Sequence, residues 1–238
     1  MALPKLTTPE YTLVIPSTGE EIKYRPFLVK EEKILLIAIE SEDQNQINDA
    51  ILNVVSDCTF GKISGTNTPV FDMELAFIRI RGKSVGEKIA LSLLCPDDKK
   101  TKVSYNLNLD DVDVHMTDDH TNVVELTNDI SLVMKYPTVK DSYTITDDDD
   151  EEPQTVKIFD MLQRCIVEIH DGEKVHNVVD ISKKELTEFF ESMTQQQFEL
   201  LQKFFNTMPK LRHIINIKNP KTKKKNEILL EGLGDFFV

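Results

Sequence analysis

Apolar positions recur along this chain with two different periods, and the places where the period changes divide it. Residues 11–15 (YTLVI) form a β-rich run that alternates weakly, Pro16, Ser17, Thr18 and Gly19 supply turn chemistry, and 20–27 resumes as a partner strand, so a hairpin is predicted at the start. Pro26 pushes Arg25 out of the α region and offers no ladder donor, which ends that strand. Glu31 and Glu32 then fall in the first turns of a predicted helix over 29–41, where carboxylates meet the positive end of the helix dipole. Ile34, Leu35, Ala38 and Ile39 give that helix one expected buried stripe. Ile47, Ile51, Val54 and Val55 predict a second helix starting near Asn45, and Gly61, Gly65 and Pro69 a loop over 59–69. A third helix over 70–81 carries Phe71, Leu75 and Ile78 on one side and Met73, Phe77 and Ile80 on another, a pattern that requires burial on two sides.

After Gly82 the period falls to two. Residues 88–94 and 102–109 alternate around a turn at 96–100 and read as a second hairpin; 112–116, 123–126 and 130–135 add expected short strands, the last equally able to begin a helix. The helical period returns past Pro153. Val156, Phe159 and the run from Leu162 to Ile169 predict one helix; Ser182, with Glu185 at the capping-box position, starts a second; a third over 194–208 carries Phe198, Leu201, Phe204 and Phe205 and stops at Pro209. Residues 211–217 and 227–230 are expected strands around a basic loop at 218–225. The fold class expected is α+β: an N-terminal β-hairpin plus helices over 1–82, a small β-rich insert over 83–140, an acidic linker over 141–154, and a mainly helical region over 155–238 ending in a β-hairpin.

Charge sharpens this division. The chain of 238 residues carries a net charge of -13, yet residues 110–152 hold 14 of its 41 acids against two lysines, so the remainder is nearly neutral. Six consecutive acids at 147–152 repel one another and read as a solvated linker. From Leu200 to Asn226 there are eight Lys and Arg and no acid, which polarises the sequence electrically. Three scattered cysteines, Cys58, Cys95 and Cys165, argue against a disulfide framework and for a reducing compartment. With no basic-then-apolar start and no run of about 20 apolar residues, the expectation is a soluble intracellular protein without a membrane span.

No complete catalytic set emerges. Cys95 sits in CPDDKK, and a hairpin opening on Cys-Pro is how a zinc ribbon presents one ligand, but the partner position is Asp98 and no second cysteine pair exists, so the turn reads as a decayed ribbon-like turn without metal. His115 and His120, beside Asp113, Asp118 and Asp119, match neither a metal helix nor a calcium loop and read as solvated loop histidines. His170 and His176 flank Asp171 and Gly172 in a predicted turn, with only Cys165 nearby as a nucleophile, on a stretch that reads as buried helix. Phosphate-cradling glycine loops, dinucleotide fingerprints and Gly-x-Ser-x-Gly are all missing. The expectation is therefore no enzyme, no cofactor and no metal. Two alternatives stay open: a metal-dependent module or enzyme using Cys95 or the His170 and His176 region, and a nucleic-acid-associated factor using loop 218–225.

The stretch YRPFLVKEEKILLIAIESE, from Tyr24 to Glu42, resembles the opening of the T4-type contractile-phage baseplate hub subunits, also described as hub assembly proteins. The likeness extends over the hairpin and helix of 11–42, RGKSV from Arg81 to Val85, CPDDKK from Cys95, and NDISLVMKYPT ending at Thr138. The resemblance implies a non-enzymatic tail protein that assembles or forms the central hub by protein–protein binding. Its implied partners are other baseplate hub or tail proteins, with a homo-oligomer left open, no membrane, and nucleic acid not expected. Its implied place is the host cytoplasm during assembly, with the virion tail baseplate as a further location. Expected contact residues are Tyr24, Arg25, Pro26, Phe27, Lys30 and Glu32, then Lys221, Lys223, Lys224 and Lys225 of the basic loop. Phe236 and Phe237 either tuck into the core or dock on a partner.

Overall fold

The computed structural model of the chain describes residues 6–146 and 153–236. In chain order these form β1 (Tyr11–Val14), β2 (Glu21–Tyr24), α1 (Val29–Glu40), α2 (Gln44–Cys58), α3 (Val70–Val85), β3 (Lys88–Leu94), β4 (Lys102–Asn108), β5 (Asp113–His115), β6 (Val123–Glu125), β7 (Ile130–Met134) and α4 (Val139–Thr146). The order continues with α5 (Gln154–Arg164), β8 (Ile166–Asp171), β9 (Lys174–Asn177), α6 (Lys183–Glu191), α7 (Gln195–Thr207), β10 (Lys210–Lys218), β11 (Lys225–Glu231) and α8 (Gly232–Phe236). This is an α+β protein. The acidic run at 147–152 lies outside the described residues.

Two compact units divide the chain: 1–115 together with 210–238, and 116–209. The strands of the expected 83–140 insert are shared between them, β3 to β5 in the first unit and β6 and β7 in the second.

In the first unit, β1 and β2 form the predicted antiparallel hairpin, with Leu13 opposite Ile22. Gly19, at φ +70°, supplies the left-handed residue its turn needs. The turn is anchored on α3, because the buried Asp72 carboxylate accepts from the Ser17 amide at 3.0 Å and from the Ser17 hydroxyl. Both apolar sides of α3 are covered: Phe71, Met73, Leu75, Phe77, Ile78 and Ile80 are all buried. β3 pairs with β4 in the expected hairpin, and a three-stranded antiparallel sheet runs β11-β10-β5.

The second unit is built on a four-stranded antiparallel sheet, β6-β7-β8-β9. Leu132, Cys165, Ile166 and Ile169 from the sheet region pack with Leu162 of α5, Leu186 and Phe190 of α6, and Leu201 and Phe204 of α7. The capping box at the start of α6 is present: the Glu185 amide donates to the Ser182 hydroxyl at 3.3 Å and the Ser182 amide to the Glu185 carboxylate at 3.1 Å. The expected helix through Ile169 is corrected. α5 ends at Arg164, and Ile166–Asp171 is a central strand paired on both sides. A short continuous apolar run has no period of its own, and pairing with β7 and β9 decides it. The turn predicted at Asp171 and Gly172 joins β8 to β9, and His170 and His176 stand on the strands on either side of it, with His176 opposite Ile169. His120 is corrected as well. It packs in a three-ring cluster with Tyr136 and Phe204, its ring centre 5.7 and 5.1 Å from theirs, instead of standing free in a solvated loop.

Candidate protein-docking surface

The segment between β2 and α1 is fixed by a buried ion pair. Arg25 Nη2 lies 2.9 Å from Glu31 Oε1, and the Glu31 side chain is 1% exposed. Glu31 Oε2 also accepts from the Leu28 amide at 2.7 Å, so the carboxylate caps the first turn of α1 while it holds Arg25. Burial alone raises the carboxyl's pKa, yet the hydrogen bonds from Arg25, Leu28 and Lys30 outweigh it and leave Glu31 below the usual carboxylate range. Around this pair, the Arg25 amide donates to the Cys58 carbonyl at 2.9 Å and the Phe27 amide to Ser84 Oγ at 2.9 Å. The start of α1 is thereby fastened to α2 and α3.

The expected contact residues separate on this framework. Tyr24 is buried, Arg25 turns inward to Glu31, Pro26 and Phe27 are half-buried, and Lys30 and Glu32 face solvent. Glu31 was not among them. In sequence it is indistinguishable from Glu32 as a first-turn acid, and only the six-residue reach back to Arg25 separates the two.

The expected buried stripe of α1 is corrected in the same way. Ala38 is buried and Leu35 half-buried, but Ile34 and Ile39 are 45% and 58% exposed. Val29, Leu36 and Ile37 are exposed at 79%, 55% and 55%. Val29, Leu36 and Ile37, at i, i+7 and i+8, share the outward side with Lys33 and Glu40. Periodicity correctly places Ala38 inward, but the first unit covers only a narrow strip of this helix, and the aliphatic side chains flanking that strip are left in water.

Two other sequence features come together elsewhere in the first unit. Asp97, in the CPDDKK turn, accepts from Asn219 Nδ2 at 2.9 Å, from Asn226 Nδ2 at 3.0 Å and from the Thr222 hydroxyl, while its own amide donates to Asn226 Oδ1 at 3.2 Å. These bonds hold Asp97 below its ordinary pKa. Asp98 caps its own turn through the Lys100 and Thr101 amides and the Thr101 hydroxyl, which likewise depresses its pKa. Cys95 is buried, and no group of three or more metal-binding side chains occurs among the described residues. Lys221, Lys223, Lys224 and Lys225 are all exposed at the β10–β11 tip. Phe236 is 1% exposed and belongs to the core, whereas Phe237 lies outside the described residues.

Burial pushes the Cys58 thiol up to about 11 and the Cys165 thiol up to about 12, the opposite of what a nucleophile needs. His170 Nε2 is 2.9 Å from Glu168, and His176 is exposed on β9. Among the described residues no helix is long and apolar enough to cross a membrane.

A family model described as T4 bacteriophage base plate protein matches residues 8–238. No curated protein gives a match, and neither does any solved structure.

Proposed function

The chain belongs to the T4 bacteriophage base plate protein family, and from that premise we propose that it works in the central hub of the contractile-tail baseplate, as a hub subunit or as the factor that brings hub components together. It acts by stoichiometric protein–protein binding, without chemistry of its own. The observation that carries this reading is α1: a helix whose base is fixed by the Arg25–Glu31 pair and whose outward side offers Val29, Leu36 and Ile37 to water. The occupant is another hub protein with an apolar groove. Burying one Leu or Ile side chain contributes about 1.5–3 kcal/mol, and a rigid helix loses little entropy on docking. Lys30, Glu32, Lys33 and Glu40 lie among these apolar positions, where charges set partner choice and register more than affinity.

Quantitative mass spectrometry of tagged pull-downs from infected cells, alongside purified virions, tests the reading. Hub proteins in the pull-down with the chain missing from virions identify an assembly factor. A fixed copy number in virions identifies a structural subunit. Tail proteins absent from the pull-down, with the chain absent from virions, overturn the proposal.

A further inference from the structure

We propose that the turn at 95–102 and the loop at 218–225 form one preorganised basic knuckle that docks an acidic, partly apolar patch on a partner protein. Asp97 is the bolt. Its bonds to Asn219, Thr222 and Asn226 join two loops more than a hundred residues apart. Asn219 and Asn226 are buried beneath, and Asn219 Oδ1 accepts from the Lys221 and Thr222 amides at 2.8 and 3.2 Å, so the loop carrying the lysines is itself shaped by hydrogen bonds.

This junction gathers Lys99, Lys100 and Lys102 from one loop and its strand, and Lys218, Lys221, Lys223, Lys224 and Lys225 from the other, all exposed. The two acids among them are already committed, Asp97 to the other loop and Asp98 to its own turn. Lys218 and Lys225 stand directly opposite each other across β10 and β11, a like-charge pairing that costs stability when nothing neutralises it. Lys99 and Lys223 adopt φ of +51° and +65°, where glycine or asparagine fits with less strain.

The neighbouring surface selects the class of partner. On the same face of the hairpin, beyond the exposed Asn216–Glu227 pair, Ile214 and Leu229 are paired and exposed at 54% and 50%, four residues from the lysine pair and so about 13 Å along the strand. An apolar contact with a lysine rim suits a protein surface. Nucleic-acid binding instead favours aromatic platforms and arginine forks, and the two loops supply neither. The inference rests on the docking reading above only in taking the partner to be a protein, and defined probes separate its failure from failure of the hub assignment.

The experiment uses the full-length protein at low salt with three probes: a peptide repeating Glu-Glu-Leu, the same peptide with serine for leucine, and a duplex oligonucleotide of equal charge. The leucine peptide binds tightest. K221E with K224E weakens it about tenfold, and I214S with L229S removes its advantage over the serine peptide. D97N, which keeps every lysine, weakens it several-fold. K99G with K223G, which relieves the left-handed lysines, leaves the melting temperature unchanged or higher and still weakens binding. Tighter binding of the duplex, no measurable binding of either peptide, or full binding by the glycine variant overturns the inference.

Discussion

Arg25 and Glu31, 2.9 Å apart, join the end of β2 to the first turn of α1 through a carboxylate that is 1% exposed. Removing Glu31 leaves the largely buried Arg25 guanidinium without its ion-pair partner, at a cost of about 3–5 kcal/mol, whereas removing Arg25 costs less, because Lys30 Nζ still lies 3.0 Å from Glu31 Oε1. Urea unfolding should show a loss of that size for E31A and a smaller one for R25A. The folded carboxyl's pKa lies below its unfolded value near 4.5, so this contribution is present above that pH and is lost as pH falls through the folded pKa. The stability difference between wild type and E31Q should therefore narrow in strong acid.

On the outward side of α1 the expected outcome is the reverse. Leu36 and Ile37 are already in water, so L36S with I37S should change folding stability by no more than about 0.5 kcal/mol per site. Recovery of hub proteins in pull-downs should nevertheless fall sharply. Equal recovery with variant and wild type would remove α1 as the docking element.

The contrast between these two sides shows what the sequence could and could not disclose. Hairpin turns and caps are written in a few adjacent residues, which is why β1–β2, β3–β4 and the Ser182 box were legible. The period of α1 gave the direction of Ala38, but whether a flanking isoleucine is covered depends on what else the unit places there. Glu31 looked like a surface acid because its partner arrives from a strand. The lysine loop was legible as charge alone, and its attachment to the CPDDKK turn through Asp97 spans a separation that no local pattern encodes. Residues Ile166 to Ile169 read as helix but form the start of β8, because an apolar run of that length carries no period of its own.

Glu74 on α3 accepts from the Leu233 amide at 3.1 Å, and burial pushes its pKa up to about 7. A raised carboxyl pKa means that stability is greatest below the unfolded value near 4.5 and declines as pH rises through 7. E74Q keeps an acceptor without the charge, so it should stabilise the protein at about pH 8 by on the order of 1 kcal/mol, a figure reduced because the group is partly solvent-screened, and have little effect near pH 5. Thermal melts at the two pH values check this. G232A should destabilise at both, since Gly232 sits at φ +73° and an added Cβ would lie 3.3 Å from Glu74 Oε1.

His120 gives the second unit the opposite response. Its Nδ1 is 2.9 Å from Thr207 Oγ1, its Nε2 is buried without a partner, and burial lowers its pKa, with Asp119 offsetting only part of the effect. The unfolded chain therefore takes up the proton first, and stability falls as pH drops below about 6.5. NMR titration of the His120 ring should give a midpoint below that value, and H120F should flatten the slope of stability between about pH 5 and pH 7.

The strand order β11-β10-β5 sets a schedule for synthesis. Residues 116–209 are contiguous, so every strand of their sheet leaves the ribosome before β10 exists. The first 115 residues must wait for that whole stretch to be translated, on the order of 5–20 s at about 5–20 residues per second, before β10 can pair with β5 and Phe236 can enter the core. The unit that carries α1 is thus begun first and finished last. A chain cut short anywhere before the final hairpin leaves the unit that holds α1 without the strand that pairs with β5 and without the buried Phe236.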